Sequence, residues 1–223
     1  MSKRATIEQY LLATGLHMID EFNEKFKDIT KEELKNIADK NYNEMDMIVR
    51  VGYPFKETVH YSMGDSKKNS EQKRAHDLII ESKDYQIDIK YLKNWSSSSN
   101  GRSNSKTWDE FQRDFDWLYE EIEMGNKGKR AFIICWFNCV DSLSQYIQLG
   151  EGKGMAPKIN MDRYQYFPFL SCGGKDDFAK NFAYDYSLAY SSLTVHTFNK
   201  SRQTCDCMFI GNEEDCFHVA IYF

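Results

Sequence analysis

The chain has 223 residues, of which 41% are hydrophobic and 15% aromatic, and its formal net charge at pH 7 is −5. This composition supplies one sizeable hydrophobic core and excludes the fibrous and low-complexity classes of protein. The acidic balance argues against a protein that coats nucleic acid by bulk electrostatic attraction, although an enzyme with acidic metal ligands would show the same balance.

Membrane and secretory signals are not found in the sequence. No stretch approaches the ~20 apolar residues that a membrane-spanning helix requires. The first residues lead into a polar, helix-like pattern, where a secretory signal would place a continuous apolar region. We therefore expect a cytoplasmic protein that binds no membrane and keeps its six cysteines reduced. Cys205, Cys207, Cys216 and His218 are residue types that bind zinc, but they lack the paired spacing of zinc motifs, and alternation along a strand explains Cys205 and Cys207 as core residues.

Two helices and two strands are predicted in the first part of the chain, over residues 6–26, 31–42, 47–51 and 58–61. Capping-box spacing starts both helices, through Thr6 with Gln9 and through Thr30 with Glu33. The strands rest on runs of β-branched and other β-prone residues.

The middle of the chain predicts a hairpin, a helix and a buried strand. Strands over residues 77–81 and 86–92 are joined by turn residues. A Ser/Asn/Gly-rich stretch over 96–105 then predicts a loop, which is either a plain connection or an element that closes over substrate. Thr107 and Glu110 start an amphipathic helix. The continuous apolar run 131–137 predicts a strand covered on both faces.

The last third of the chain is rich in tyrosine and short strands. One short helix is predicted within 141–149, an irregular stretch over 150–190, and strands over 193–198, 205–210 and 217–223. We therefore expect an α/β fold with a mixed central sheet flanked by helices in residues 1–137. Residues 138–223 would form a β-rich C-terminal extension packed on the same domain.

Three polar residues of the hairpin are the candidate catalytic residues. Asp77 begins one strand, and Asp88 and Lys90 lie two residues apart in the other, so their side chains emerge on the same face. Carboxylates from adjacent strands can hold Mg²⁺ while leaving coordination positions for water and phosphate. A lysine beside them can orient that water and stabilise developing charge. A D-x-K triplet also occurs on exposed strands that have no such role.

The arrangement is similar to the PD-(D/E)xK nuclease superfamily, to which many restriction endonucleases and repair nucleases belong. Asp77 matches the family's aspartate, Asp88-Ile89-Lys90 matches its (D/E)xK, and His76 stands where the family usually has proline. The order of helices and strands agrees over roughly residues 5–137. The resemblance implies a restriction-endonuclease-like fold, a Mg or Mn cofactor, and cleavage of nucleic acid, with DNA favoured over RNA.

Many members of that superfamily add a glutamate from the leading helix. At 100° per residue, Glu8 falls on the apolar arc that should meet the sheet, whereas Glu21 and Glu24 point elsewhere. Glu8 is therefore the expected third acidic ligand, beside Asp77 and Asp88.

Two hypotheses follow. The first is a restriction-type DNA endonuclease in which Asp77, Asp88 and Glu8 bind metal, Lys90 assists the attacking water, and the tail supplies target recognition or a homodimer surface. The second is a non-catalytic protein-binding or immunity-type protein with a similar fold, which the acidic balance and aromatic tail would suit. The first requires that the heads of Asp77, Asp88 and Lys90 converge in one open cleft.

Overall fold

The structure is a computed structural model, and it describes residues 5–61, 76–93, 105–140, 143–151, 158–172, 182–196 and 204–223. The helices are α1 (Ile7–Phe26), α2 (Lys31–Asn41), α3 (Glu44–Gly52), α4 (Ser105–Glu123), α5 (Leu143–Tyr146) and α6 (Met161–Tyr164). The strands are β1 (Val59–Tyr61), β2 (Leu78–Ile80), β3 (Tyr85–Leu92), β4 (Arg130–Phe137), β5 (Gly150–Glu151), β6 (Lys158–Ile159), β7 (Leu170–Cys172), β8 (Phe182–Tyr184), β9 (Ser192–His196), β10 (Thr204–Ile210) and β11 (Phe217–Tyr222).

A mixed sheet of seven strands, in the order β1-β2-β3-β4-β11-β10-β9, forms the centre of the protein. β3 and β4 run parallel, with Ile89 opposite Ile133, and the other neighbouring strands of the sheet run antiparallel. Every residue of β4 is buried, as expected of a strand covered on both faces. The protein is therefore a mixed α/β protein with a central mixed sheet flanked by helices.

Each face of the sheet has its own hydrophobic core. Residues of α1, α2 and α3 pack on one face, against Ile87 and Ile89 of β3. Residues of α4 pack on the other face with an aromatic group from the last third of the chain. Because side chains alternate along a strand, Asp88 and Lys90 project towards the α4 face. Asp88 and Lys90 therefore point away from the core that contains α1.

The structure confirms most of the expected elements but corrects one of the early strands. Residues 47–51 were expected to form a strand and instead belong to α3. Asn43 and Asp46 form a capping box at the start of this helix, in which Asn43 N donates to Asp46 Oδ2 over 2.7 Å. The apolar side chains of Met47, Ile48 and Val51 are then buried on one side of the helix. Helical packing overrides the β-prone composition of this run.

The boundaries in the second half of the chain differ in smaller ways. Helix α4 begins at Ser105, two residues before the expected cap at Thr107. Most of the loop expected over 96–105 lies outside the described residues. The stretch expected to be irregular contains α6 and the hairpins β5–β6 and β7–β8. Strands β9, β10 and β11 continue the central sheet, so the predicted C-terminal extension contributes three strands to it.

The described residues contain no helix that is long and apolar enough to cross a membrane. Cys205 and Cys207 are both buried in the core on the α4 face of the sheet, in agreement with the expectation of core residues. Among the same residues, no group of three His, Cys, Asp or Glu side chains is arranged to hold a metal ion.

A buried ion pair fixes the hairpin between β2 and β3. Arg130, the first residue of β4, donates from Nε to Glu121 Oε2 of α4 over 2.7 Å. Its Nη1 donates to the backbone oxygen of Asp84, in the hairpin turn, over 2.8 Å. The Arg130 side chain is 7% exposed and that of Glu121 is 16% exposed. Helix α4, strand β4 and the turn are therefore held together by one guanidinium group.

We expect Arg130→Met to lower the free energy of unfolding by about 3 kcal/mol, because it leaves a largely buried carboxylate without its cation. Lys129→Met is the matched control, since the Lys129–Asp84 pair has side chains that are 49% and 57% exposed, and its loss should cost about 0–1 kcal/mol. Urea unfolding of both variants measures the difference. Equal losses would show that Arg130 acts as an ordinary surface cation.

Candidate functional site

The hairpin brings Asp77 and Asp88 together. Leu78 of β2 lies opposite Ile87 of β3, so Asp77, one residue before β2, comes beside Asp88. The backbone N of Asp77 donates to Asp88 Oδ1 over 3.4 Å. Asp88 is only 3% exposed. Two carboxylates are thus placed side by side at the junction of the two strands.

The edge of β3 beyond this point has no strand partner among the described residues, because β2 pairs only with residues 85–87. Carboxylates accept the hydrogen bonds instead. Ile89 N donates to Asp77 Oδ2 over 2.8 Å, and Tyr91 N donates to Glu44 Oε2 over 3.4 Å. We call Asp77 and Glu44 the edge carboxylates. Since the two N–H groups are two residues apart, their acceptors lie about 7 Å apart along the strand.

Lys90 extends its ammonium group between α3 and α4. Its Nζ lies 3.9 Å from Glu44 Oε1 and 3.6 Å from Asp114 Oδ2 of α4. The Lys90 side chain is 24% exposed, so the ammonium still reaches solvent. The structure therefore places the three predicted hairpin residues in one region and adds Glu44 and Asp114 to them.

Like charges and loss of hydration act on the edge carboxylates. Burial raises the pKa of Asp77, and the neighbouring Asp88 carboxylate raises it further, against the lowering effects of the Ile89 N–H and of Lys90. Loss of hydration also raises the pKa of Glu44, with a further increase from the charge of Asp77. The region therefore holds its negative charges at a cost that a bound cation would reduce.

His76 contacts Asp88 from the other side. Its Nδ1 lies 3.2 Å from Asp88 Oδ1. We assign the ring proton to Nδ1, so that His76 donates to Asp88 Oδ1. The imidazole packs against the Trp117 ring of α4, with centroids 4.6 Å apart and planes at 37°. His76 thus contacts one of the two aspartates of the candidate site.

An open cleft of about 880 Å³ lies beside Lys90, between the start of α3 and the outer side of α4. Five carboxylates line it, those of Glu44, Glu110, Asp114, Asp116 and Glu120. Lys90 and Arg113 are the cations of this lining within the described part of the chain. The cleft is therefore strongly acidic, and a polyanion would enter it only with bound cations.

Glu8 does not join this group. It is half-buried at the start of α1, where its charge and that of Tyr10 add to the effect of burial in raising the pKa of Tyr85. Tyr85 is the first residue of β3 and packs on the α1 face, whereas Asp88 lies three residues further on and projects to the α4 face. The hydrogen bonds and ion pairs that the structure describes for the hairpin residues include Glu44 of α3 and not Glu8, so the role of Glu8 as a third acidic ligand stays a prediction. The sequence signal for Glu44 is the Asn43–Asp46 capping box, which places it at the start of a helix.

The carboxylate oxygens of Asp77 and Asp88 are ligands that suit a hard divalent cation. Mg²⁺ prefers oxygen ligands and is commonly held by one or two carboxylates, with water and substrate phosphate completing its coordination. The two adjacent carboxylates meet that requirement, although the described residues form no three-ligand group. The pair is therefore a candidate site for a metal ion shared with a substrate.

Comparisons of this chain with protein-family models, with curated proteins and with solved structures give no match.

The raised pKa of Asp77 predicts a pH-dependent gain in stability for Asp77→Asn. The folded protein binds this proton more tightly than an unfolded aspartate of pKa about 3.9, so the ionised group destabilises the fold at neutral pH. The amide of the variant still accepts from Ile89 N–H. We expect a higher free energy of unfolding at pH 7, and a gain that shrinks as the pH falls through the raised pKa of Asp77 and disappears below about pH 4.

Asp84→Asn is the matched control for urea unfolding across this pH range. The ammonium of Lys129 lowers the pKa of Asp84, so ionisation of Asp84 stabilises the fold at neutral pH. Asp84 has φ of 57°, which asparagine also tolerates. We expect this variant to be less stable than wild type at pH 7. If both variants change the free energy of unfolding in the same direction at pH 7, ionisation of Asp77 is not what destabilises the fold.

Proposed function

We propose that this protein is a divalent-metal-dependent nuclease with a restriction-endonuclease-like fold. The observation that carries the proposal is that Asp77 and Asp88 lie side by side where β2 meets β3, with Lys90 two residues beyond Asp88 at the acidic cleft. Asp77 and Asp88 do not themselves line that cleft. The order of α1, strands β1 to β3, helix α4 and parallel strand β4 also supports the resemblance to the PD-(D/E)xK superfamily. Two adjacent carboxylates with a lysine beside them are the residue types that this reaction requires.

Asp77 and Asp88 would hold the metal ion, Mg²⁺ or Mn²⁺, which when bound polarises a phosphate and acidifies a coordinated water. Asp77 offers its carboxylate from the open edge of β3. Asp88 offers a carboxylate that the Asp77 N–H and His76 already hold in place. Because these groups are fixed before the substrate arrives, little reorganisation is needed when it binds.

Lys90 would orient the attacking water and donate hydrogen bonds to the phosphate oxygens as negative charge develops on them. Glu44 and Asp114 hold its ammonium at the cleft. The raised pKa of Glu44 suits this carboxylate to take up the proton of the water. The water oxygen forms the new bond to phosphorus, and the ester oxygen leaves.

DNA is the proposed substrate, because most families that share the resemblance act on DNA. Residues 138–223 are the proposed source of target recognition or of a homodimer surface. Their hairpins β5–β6 and β7–β8 lie outside the central sheet and add surface without disturbing it. The strands β9 to β11, in contrast, are part of the scaffold.

Cleavage of plasmid DNA and of structured RNA with Mg²⁺ or Mn²⁺ tests the proposal. We expect cutting that EDTA abolishes and that falls by at least about 100-fold in Asp88→Asn and Lys90→Met, since each variant removes a group that acts on the reacting phosphate or water. Discrete DNA fragments would support a restriction-type activity.

Lys93→Met is the matched control for the loss of a lysine. Lys93 lies three residues beyond Lys90, and its exposed Nζ donates to the backbone oxygen of Asp39 over 3.0 Å. We expect the Lys93→Met variant to have the nuclease activity of the wild type. The proposal is wrong if folded wild-type protein cuts neither substrate with either metal, or if Lys90→Met and Lys93→Met have the same activity.

The acidic cleft predicts that added positive charge strengthens binding of nucleic acid. Glu120→Lys changes a carboxylate of the cleft, and we expect it to raise DNA affinity several-fold at low salt, with a steeper salt dependence. Glu123→Lys makes the same charge change at an exposed position outside the cleft lining. Fluorescence anisotropy with a labelled duplex in Ca²⁺ would measure both. Equal gains would show that only net charge matters.

A groove between α1 and α3 favours a second candidate function, binding of another protein without catalysis. The groove has a volume of about 430 Å³ and exposes 46% of Val49 and 67% of Tyr53. Exposed apolar and aromatic residues of this kind are common in protein interfaces. Absence of cleavage by the folded wild-type protein would make this the better proposal.

A further inference from the structure

We propose that His76 is a positioning residue of the site: its imidazole fixes the Asp88 carboxylate in the orientation that a divalent cation requires. The inference rests on the proposed metal-dependent function and concerns a residue that departs from the family motif. A proline at position 76 would have no donor to direct at Asp88, because its ring nitrogen is the backbone nitrogen and carries no hydrogen.

The contact between His76 and Asp88 is buried on both sides. The two side chains are 10% and 5% exposed, and His76 Nδ1 lies 3.2 Å from Asp88 Oδ1. The backbone N of Asp77 donates to the same oxygen over 3.4 Å. Two donors from different directions on one oxygen define the plane of the carboxylate, because the second oxygen can no longer rotate freely about the Cβ–Cγ bond.

The imidazole is itself held in place from the other side. Trp117 of α4 covers the ring of His76 at a centroid distance of 4.6 Å. Trp117 is 7% exposed and belongs to the core on this face of the sheet. The orientation of Asp88 therefore depends on α4 through Trp117 and then His76. Hydrogen-bonded partners of this kind typically affect metal affinity or activity 10–100-fold.

A matched pair of substitutions separates the hydrogen bond from the packing. His76→Asn keeps an N–H donor bonded to Cγ, at the place of Nδ1, whereas His76→Leu keeps the branching at Cγ and removes the donor. Binding of Mn²⁺ to the full chain would be measured by electron paramagnetic resonance, with circular dichroism to verify the fold. We expect His76→Leu to weaken Mn²⁺ binding about 10–100-fold and His76→Asn to retain most of the wild-type affinity.

Cleavage kinetics supply a second measurement, in which His76→Leu should lower kcat with a small change in KM for DNA. If His76→Leu does not fold, His76→Gln replaces it, because glutamine carries its donor one bond further from the backbone and should bind Mn²⁺ more weakly than His76→Asn. Equal Mn²⁺ affinity in wild type and His76→Leu would overturn the role of His76 while the nuclease proposal stands. Equal weakening in His76→Leu and His76→Asn would also overturn it.

The Asp88→Asn variant distinguishes failure of the proposed metal site from failure of the positioning role of His76. If wild type binds no Mn²⁺, or if Asp88→Asn binds it as well as wild type does, the metal site itself is wrong and the role of His76 fails with it. If Asp88→Asn abolishes binding and His76→Leu does not weaken it, only the positioning role fails.

Discussion

The backbone amides of Ile89 and Tyr91 need acceptors that no described strand provides, and this requirement connects the fold to the candidate site. A buried N–H without a partner would cost about 1–3 kcal/mol. The edge carboxylates, Asp77 and Glu44, satisfy both amides. Two negative charges are thereby lined up along one strand edge by the same hydrogen bonds that complete the sheet. The position of the candidate site therefore follows from how the hydrogen bonds along the open edge of β3 are completed.

The negative charges of these carboxylates lower the stability of the fold. Burial raises the pKa values of Asp77 and Glu44, and neighbouring carboxylates raise them further, so the ionised site is under electrostatic strain at neutral pH. Lys90 relieves part of this strain through Glu44 and Asp114. Apolar residues would remove this strain but would leave the N–H groups of Ile89 and Tyr91 without these acceptors.

The sequence predicts the hairpin, helix α4 and strand β4 well because each has a strong local signal. The apolar run of β4 and the spacing of Asp77, Asp88 and Lys90 are local features. Helix α3 was missed because its β-prone residues outweighed one capping box. Glu44 could not be found without α3, since its role depends on where that helix meets the edge of β3. The helical wheel of α1 predicts that Glu8 faces the sheet, but it does not show that α1 and the side chain of Asp88 lie on opposite faces of that sheet.

The position of His76 illustrates a similar limit. The sequence shows only a departure from the expected proline, and nothing local indicates that Trp117, 41 residues later, covers its ring. Contacts between elements that are distant in sequence are decided by packing of α4 on the sheet. Motif spacing therefore locates the candidate site residues, whereas the residues that contact them are visible only in three dimensions.

The central sheet also has a consequence for the order in which the chain can fold. Strand β4 pairs on one side with β3 and on the other with β11, which is synthesised about 80 residues later. Until residues 217–222 emerge, the apolar strand over Arg130–Phe137 has an open edge of the kind that associates with other chains. The nascent protein therefore has a vulnerable interval during synthesis, and slow translation of its last third would prolong exposure of that edge.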